Sequence, residues 1–202
     1  MTQWNGPAIR DVRVQALVVV LVSAWLSTVE AAAPQPVDPD RSTVVVHVGK
    51  SGIFRAFADD HEIRGPATRG FVDEDAGTVE ILIDARRLEV LDPKLSPKDR
   101  SDVQARMLGA DVLDVSRFPE IRFTSAVARD TGEGGTLRGQ LTLHGQTRQV
   151  TVSVTKQAGH YKGSARLKQT EFGITPVTVA GGAVKVKDEI TIDVDIVTRA
   201  GE

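Results

Sequence analysis

The sequence predicts a mainly β protein, an antiparallel barrel of about eight strands with one amphipathic helix set between strands. Three observations predict it. Apolar residues recur at every second position through most of the chain, turn signals divide these stretches at intervals of roughly 8–12 residues, and one segment alone carries helical spacing.

The alternation runs in order along the chain. Val44, Val46 and Val48 share one face of TVVVHVG, and Val79, Ile81 and Ile83 share one face of TVEILIDA. Leu137, Leu141 and Leu143 follow, then Val150, Val152 and Val154, then Tyr161, Ala165 and Leu167, and last Ile190, Ile192, Val194 and Ile196. Thr, Ser, Lys, Arg or Asp occupy the opposite positions, the pattern of antiparallel strands with one dry and one wet face. Asp75-Ala76-Gly77, Gly132 to Gly135, Gly145-Gln146 and Ala158-Gly159 read as the turns between them.

The helical segment is LSPKDRSDVQARMLG. Ser96 stands as N-cap with Pro97 at the first helical position, Asp99 completes an acidic capping box, Val103 and Met107 lie one turn apart, and Gly109 ends the run. Its apolar side, Val103, Met107 and Leu108, suits two placements, over one end of the barrel or against its outer wall.

The N-terminus is built differently. Arg10 and Arg13 precede the uncharged run VQALVVVLVSAWLSTV, which is followed by Glu30 and three alanines. That order matches a secretory signal peptide, and the run falls short of the roughly 20 residues a membrane-spanning helix needs. The expected organisation is a signal peptide over 1–31, a linker over 32–41 and the barrel domain over 42–198, with a periplasmic or secreted mature protein. A formal net charge of -2 over 202 residues offers no attraction to a polyanion and argues against a nucleic-acid partner. The chain contains no cysteine, so no disulfide staples the exported domain and a substantial core must hold it.

Catalytic signals are weak. There is no G-x-S-x-G elbow, no H-E-x-x-H and no glycine-rich phosphate loop, and the histidines are scattered at 47, 61, 144 and 160. His47 and His144 fall on the polar faces of their strands and His160 at a turn, which makes all three solvent residues. In FRAFADDHEIRG the alternation lapses at Asp59 and recovers at Ile63. Asp59 and His61 can share a side of an extended chain, but the local sequence lacks a full metal-ligand set, so a polar rim at a barrel end is favoured over a metal site.

Three ordered motifs carry a family resemblance. MLGADVLDVSRFPEIRFTS (Met107 to Ser125), LRGQLTLHGQTRQVTVSV (Leu137 to Val154) and the EFGI turn (Glu171 to Ile174) together resemble the YceI-like, polyisoprenoid-binding family. Lys50 and Val46 stand where that family often has a histidine and an aromatic residue, which marks a divergent branch. The resemblance implies a lipocalin-like barrel, usually exported in bacteria, whose interior holds a long isoprenoid chain such as a polyprenyl lipid or a quinone tail. No catalytic residue, metal or other cofactor is expected. The apolar residues expected to line such an interior are Ile53, Phe54, Phe57, Phe71, Met107, Leu108, Phe118, Phe123 and Phe172, with Asp59 and His61 at the rim. The alternative is a non-catalytic module that docks on a membrane redox or lipid-handling protein without a ligand of its own. Whether the chain acts alone or as a homodimer is left open.

The exported protein is expected to begin at Ala32, since Val29 and Ala31 satisfy the small-residue rule for cleavage. Intact mass of protein from the native host checks this, and a full-length chain extracted with the membrane would refute it.

Overall fold

The computed structural model describes residues 1–3, 33–51, 61–126, 134–157, 159–179 and 184–199. The apolar run and cleavage site of the expected signal peptide lie outside these residues. Among the described residues no helix is long and apolar enough to cross a membrane.

Among the described residues twelve strands form one antiparallel sheet. In chain order they are β1 (Gln35–Pro36), β2 (Thr43–Ser51), β3 (His61–Pro66), β4 (Arg69–Asp73), β5 (Thr78–Asp84), β6 (Glu89–Val90), β7 (Glu120–Ser125), β8 (Gly134–Leu143), β9 (Gln146–Gln157), β10 (His160–Lys168), β11 (Thr178–Val179) and β12 (Val184–Val197). The helix α1 spans Pro97–Leu108 between β6 and β7. Side by side the strands run β1-β4-β5-β7-β8-β9-β10-β12-β2-β3-β6, with β11 paired to β12.

The expected eight strands are recovered once the short pieces are set aside. β1, β6 and β11 have two residues each, and β3 and β4 are halves of one bent strand. The bend falls where the chain changes partners: the Ala67 amide still donates to the Ser42 carbonyl beside β2 (3.2 Å), whereas the Thr68 amide donates to Leu82 on β5 (2.8 Å). One continuous stretch thus joins the two ends of the strand order and curls the sheet into a barrel, leaving few backbone groups on open edges.

The segment expected as a linker, 32–41, departs from that expectation. Gln35 and Pro36 pair with Val72 and Phe71, and Val37 bridges to Thr198. Two physical reasons account for it. Val37 is buried at one end of the core, and Pro36 suits an edge strand because it has no amide hydrogen to leave unpaired. Its carbonyl accepts from the Arg199 amide (2.9 Å).

α1 forms as its sequence signals dictate. The Ser96 hydroxyl accepts from the Asp99 amide (3.1 Å) and donates to the Asp99 carboxylate (2.7 Å), and the Gly109 amide closes the last turn on Ala105 (3.0 Å). Met107 is buried, and with Leu88 and Val90 it makes a cluster against which Val103, Leu108, Leu113 and Ile121 pack. The helix therefore covers one end of the barrel. Gln104 anchors it, accepting from the Val90 amide and donating to the Leu88 carbonyl, both at 2.7 Å.

The second motif is the β8–β9 hairpin, whose turn lies at His144-Gly145, one residue earlier than expected. Both residues have positive φ (49° and 70°), as a two-residue type I′ turn requires. His144 is consequently not a solvent residue on a strand face. Its Nδ1 lies 3.1 Å from the Phe172 carbonyl and its ring meets Phe118 edge-on at 4.8 Å. A Cβ at Gly145 would stand 2.5 Å from the Phe118 ring, so the glycine answers to close packing as well as to φ.

Phe172 is wholly buried in a cluster with Leu141, Leu143, Leu167, Ile174 and Ile190. Phe172→Ala is expected to lower the unfolding free energy by about 3–5 kcal/mol, the cost of a large cavity in a well-packed site. Phe71→Ala, at a half-buried position on the outer face, is expected to cost far less. Chemical denaturation of the two variants checks the contrast.

Candidate functional site

The strand alternation produces an apolar interior that is not filled. Inward positions of β2, β5, β8, β9, β10 and β12 carry Val, Ile, Leu and Ala, and these side chains surround a cavity of about 210 Å³. Every apolar residue of the alternating faces named above, from Val44 to Ile196, lines it. Ile63, Val72, Leu88, Val112, Leu113, Ile121 and Ile174 also belong to the wall. An empty apolar cavity of roughly 150 Å³ already holds a benzene ring, so this is a ligand-sized space and not a packing defect.

The expected aromatic lining is corrected by this geometry. Of the expected contacts, Met107 and Phe123 line the cavity. Phe71, Leu108, Phe118 and Phe172 do not. Phe71 neighbours the cavity-lining Val72 on the same strand and so points the other way. Leu108, the last residue of α1, packs against the Leu88–Val90–Met107 cluster, Phe118 holds the β8–β9 turn, and Phe172 fills the core beside the cavity. Ile53, Phe54, Phe57 and Asp59 lie outside the described residues.

Gly139 and Phe123 explain one another. A Cβ at Gly139 would come within 2.5 Å of the Phe123 ring, so the glycine of the second motif opens the space in which the cavity's phenylalanine lies.

Among the described residues two polar side chains, Gln169 and Tyr161, reach the wall. They belong to opposite ends. Gln169 is tied to backbone near the helix-covered end, donating from Nε2 to the Lys187 carbonyl at 2.8 Å. Tyr161 stands at the other end, where its hydroxyl donates to Glu74. The same carboxylate accepts from Lys156 Nζ at 2.6 Å, and the ammonium lies 5.7 Å from the Tyr161 ring centroid. Glu74 follows β4, whereas Lys156 and Tyr161 sit on β9 and β10, strands that do not neighbour β4 or β5. The contact thus bridges the barrel mouth.

Charge at the mouth follows from these partners. The bond from Lys156, then that from Tyr161, holds the Glu74 carboxyl below its ordinary range. Burial, then the bond to Glu74, pushes the Tyr161 phenol up from its ordinary value of 10.0. The site is thus Lys156 and a phenol that holds its proton, converging on one carboxylate.

His61 lies toward the helix-covered end, at the start of β3 and outside the cavity wall. Its Nδ1 is bonded to the buried carboxylate of Asp92, which also accepts from the Glu62 amide at 3.0 Å. Arg100 Nε donates to the Asp92 carbonyl at 3.1 Å, so this corner secures the β6–α1 connection. Among the described residues no three His, Cys, Asp or Glu side chains are grouped to hold a metal ion. His47 and His160 face outward against Asp193 (3.1 Å) and Asp195 (3.2 Å).

A family model described as a YceI-like domain matches residues 36–198. A UPF0312 protein of Pseudomonas putida is 36% identical over 77 residues, 32% of this chain and 40% of that protein. Protein YceI of Salmonella arizonae is 24% identical over 142 residues, covering 65% of this chain and 68% of the relative. The chain spans about 40% of the length of the Pseudomonas relatives it matches. Among solved structures, BcnA of Burkholderia cenocepacia aligns with a TM-score of 0.54 at 19% identity, over 81% of this chain and 99% of that one, a likeness of fold.

Tyr161 is the single tyrosine of the chain, so ultraviolet titration of phenol ionisation reports it alone. In the folded protein it is expected to ionise above the ordinary value of 10.0. The unfolded chain releases that proton first, so the associated stability is complete below about pH 10 and is lost as pH rises further. Tyr161→Phe should remove this alkaline loss. Unfolding midpoints measured across that range check it.

Proposed function

The chain belongs to the YceI-like family, and from that premise we propose that it is an exported, non-catalytic binding protein whose barrel holds the hydrocarbon chain of a polyisoprenoid, quinone or similar long-chain lipid. The observation that carries this reading is the cavity: about 210 Å³, walled among the described residues by apolar side chains with two polar ones at its ends. Such a wall offers a ligand almost no hydrogen bonds along its length. Affinity must come from transfer of apolar surface out of water, worth ~0.8 kcal/mol per methylene, and selectivity from chain shape. A branched, flexible hydrocarbon meets both conditions, and a polar metabolite meets neither.

Chemistry on a substrate finds little support at the same place. Among the described residues the wall carries no nucleophile beside a base, and the His61–Asp92 pair stands outside it. The reading of export rests on the basic, apolar and small-residue order of the first thirty-one residues.

Mass spectrometry of an organic extract of the purified protein is expected to find a prenyl lipid or quinone. Added prenyl alcohol should bind with little dependence on salt, since its capture is hydrophobic. Ala165→Phe, which places a ring in the cavity, should weaken that binding at least about tenfold while the protein stays folded. Protein that is repeatedly empty and ignores added prenyl chains would overturn the reading and favour a docking module.

A further inference from the structure

We propose that Tyr161 and Lys156 form a head-group site at the cavity mouth that takes the anionic oxygen head of an amphiphile, and that Glu74 fills this site with its own carboxylate until such a ligand displaces it. The inference rests on the reading that the interior holds a hydrocarbon chain, and it adds the chemistry of the ligand's other end.

Strand parity directs the lysine. Val150, Val152 and Val154 of β9 line the cavity, so Lys156, the next residue of that face, is carried over the mouth and not onto the outer wall. Tyr161 is its directly opposite partner on β10 and lines the cavity itself. The ring belongs to the dry interior and the hydroxyl to the mouth, as the amphipathic shape of tyrosine allows. Two donors, one of them charged, therefore meet at this end of the apolar cavity, where the Lys156 and Glu74 side chains are partly exposed.

What now satisfies those donors is a carboxylate on a turn. Glu74 reaches them from the β4–β5 connection with its side chain 43% exposed. A carboxylate so placed returns to water at small cost, and an exposed ion pair of this kind holds weakly. Its geometry also shows what the donors accept: an oxygen anion within 2.6 Å of Lys156 and bonded to Tyr161. The carboxylate of a fatty acid and the phosphate of a prenyl phosphate share that chemistry. A neutral hydroxyl lacks the charge to replace Glu74 beside an ammonium.

The other end offers no such exit among the described residues, because α1, Met107 and Leu88 cover it. A chain longer than the cavity that emerges at the Tyr161 end sets its head where Glu74 now lies.

The test uses prenyl chains of one length bearing a hydroxyl, a carboxylate or a monophosphate, with binding measured for the full mature protein and for Lys156→Met, Tyr161→Phe and Glu74→Gln. The parent should prefer an anionic head over the alcohol by about tenfold, the size of one charge-assisted hydrogen bond. Lys156→Met should erase that preference while the alcohol binds as before, and Glu74→Gln should tighten the anions severalfold without tightening the alcohol. Preference for carboxylate or for phosphate names the source of the head. Equal binding of all three heads by the parent and by Lys156→Met would overturn the site while leaving chain binding intact. Binding of none of them would overturn the chain-holding reading and this site with it.

Discussion

An eight-stranded barrel is wide enough that the side chains turned toward its axis decide whether it becomes a solid core or a container. Here the inward positions carry valine, isoleucine and leucine, with Gly163 and Ala165 on β10, and Phe123 is the phenylalanine among the lining residues. Side chains of that size stop short of the axis. Because they are also almost wholly apolar, the remaining space holds water poorly and hydrocarbon well. The proposed ligand class, the lack of polar groups along the wall and the weight placed on the two ends all rest on this one constraint.

The ends are finished by different physics. At one, α1 brings Met107 down onto Leu88 and Val90, Gln104 satisfies the backbone of β6, and His61 with Asp92 holds the chain that leads into the helix. Apolar contact supplies the cover there, and hydrogen bonds fix its position. At the other, the described residues place a polar bridge from Glu74 to Lys156 and Tyr161 over the mouth. The first kind of closure resists opening because it buries apolar surface. The second is a partly exposed ion pair, a kind of contact that holds weakly.

The barrel wall depends equally on backbone partners. The change of partner between Ala67 and Thr68 lets one strand serve both ends of the sheet, and the Val37–Thr198 bridge ties β1 to the end of β12. These devices cover edges that would otherwise expose unpaired amides and carbonyls. None of them needs an unusual side chain, which is why the residues before Ser42 read as a linker although they complete the sheet.

The sequence alone determined the wall. Alternation has a period of two, a strand has a period of two, and so the apolar residues from Val44 to Ile196 that share a face in the text also share the cavity. The capping of α1 was equally legible, because Ser96, Pro97 and Gly109 act within a few residues of one another. Aromatic character without parity does not mark the lining: Phe71 lies on the outward face of its strand, and Phe118, in a loop, and Phe172, in a short 3-10 helix, have no strand parity to read. Tertiary structure decided that Asp92 would partner His61 from 31 residues away and that Glu74 would meet Tyr161 from 87 residues away. Periodicity is a local property of the chain, whereas contacts across the barrel arise only when its curvature brings distant strands face to face.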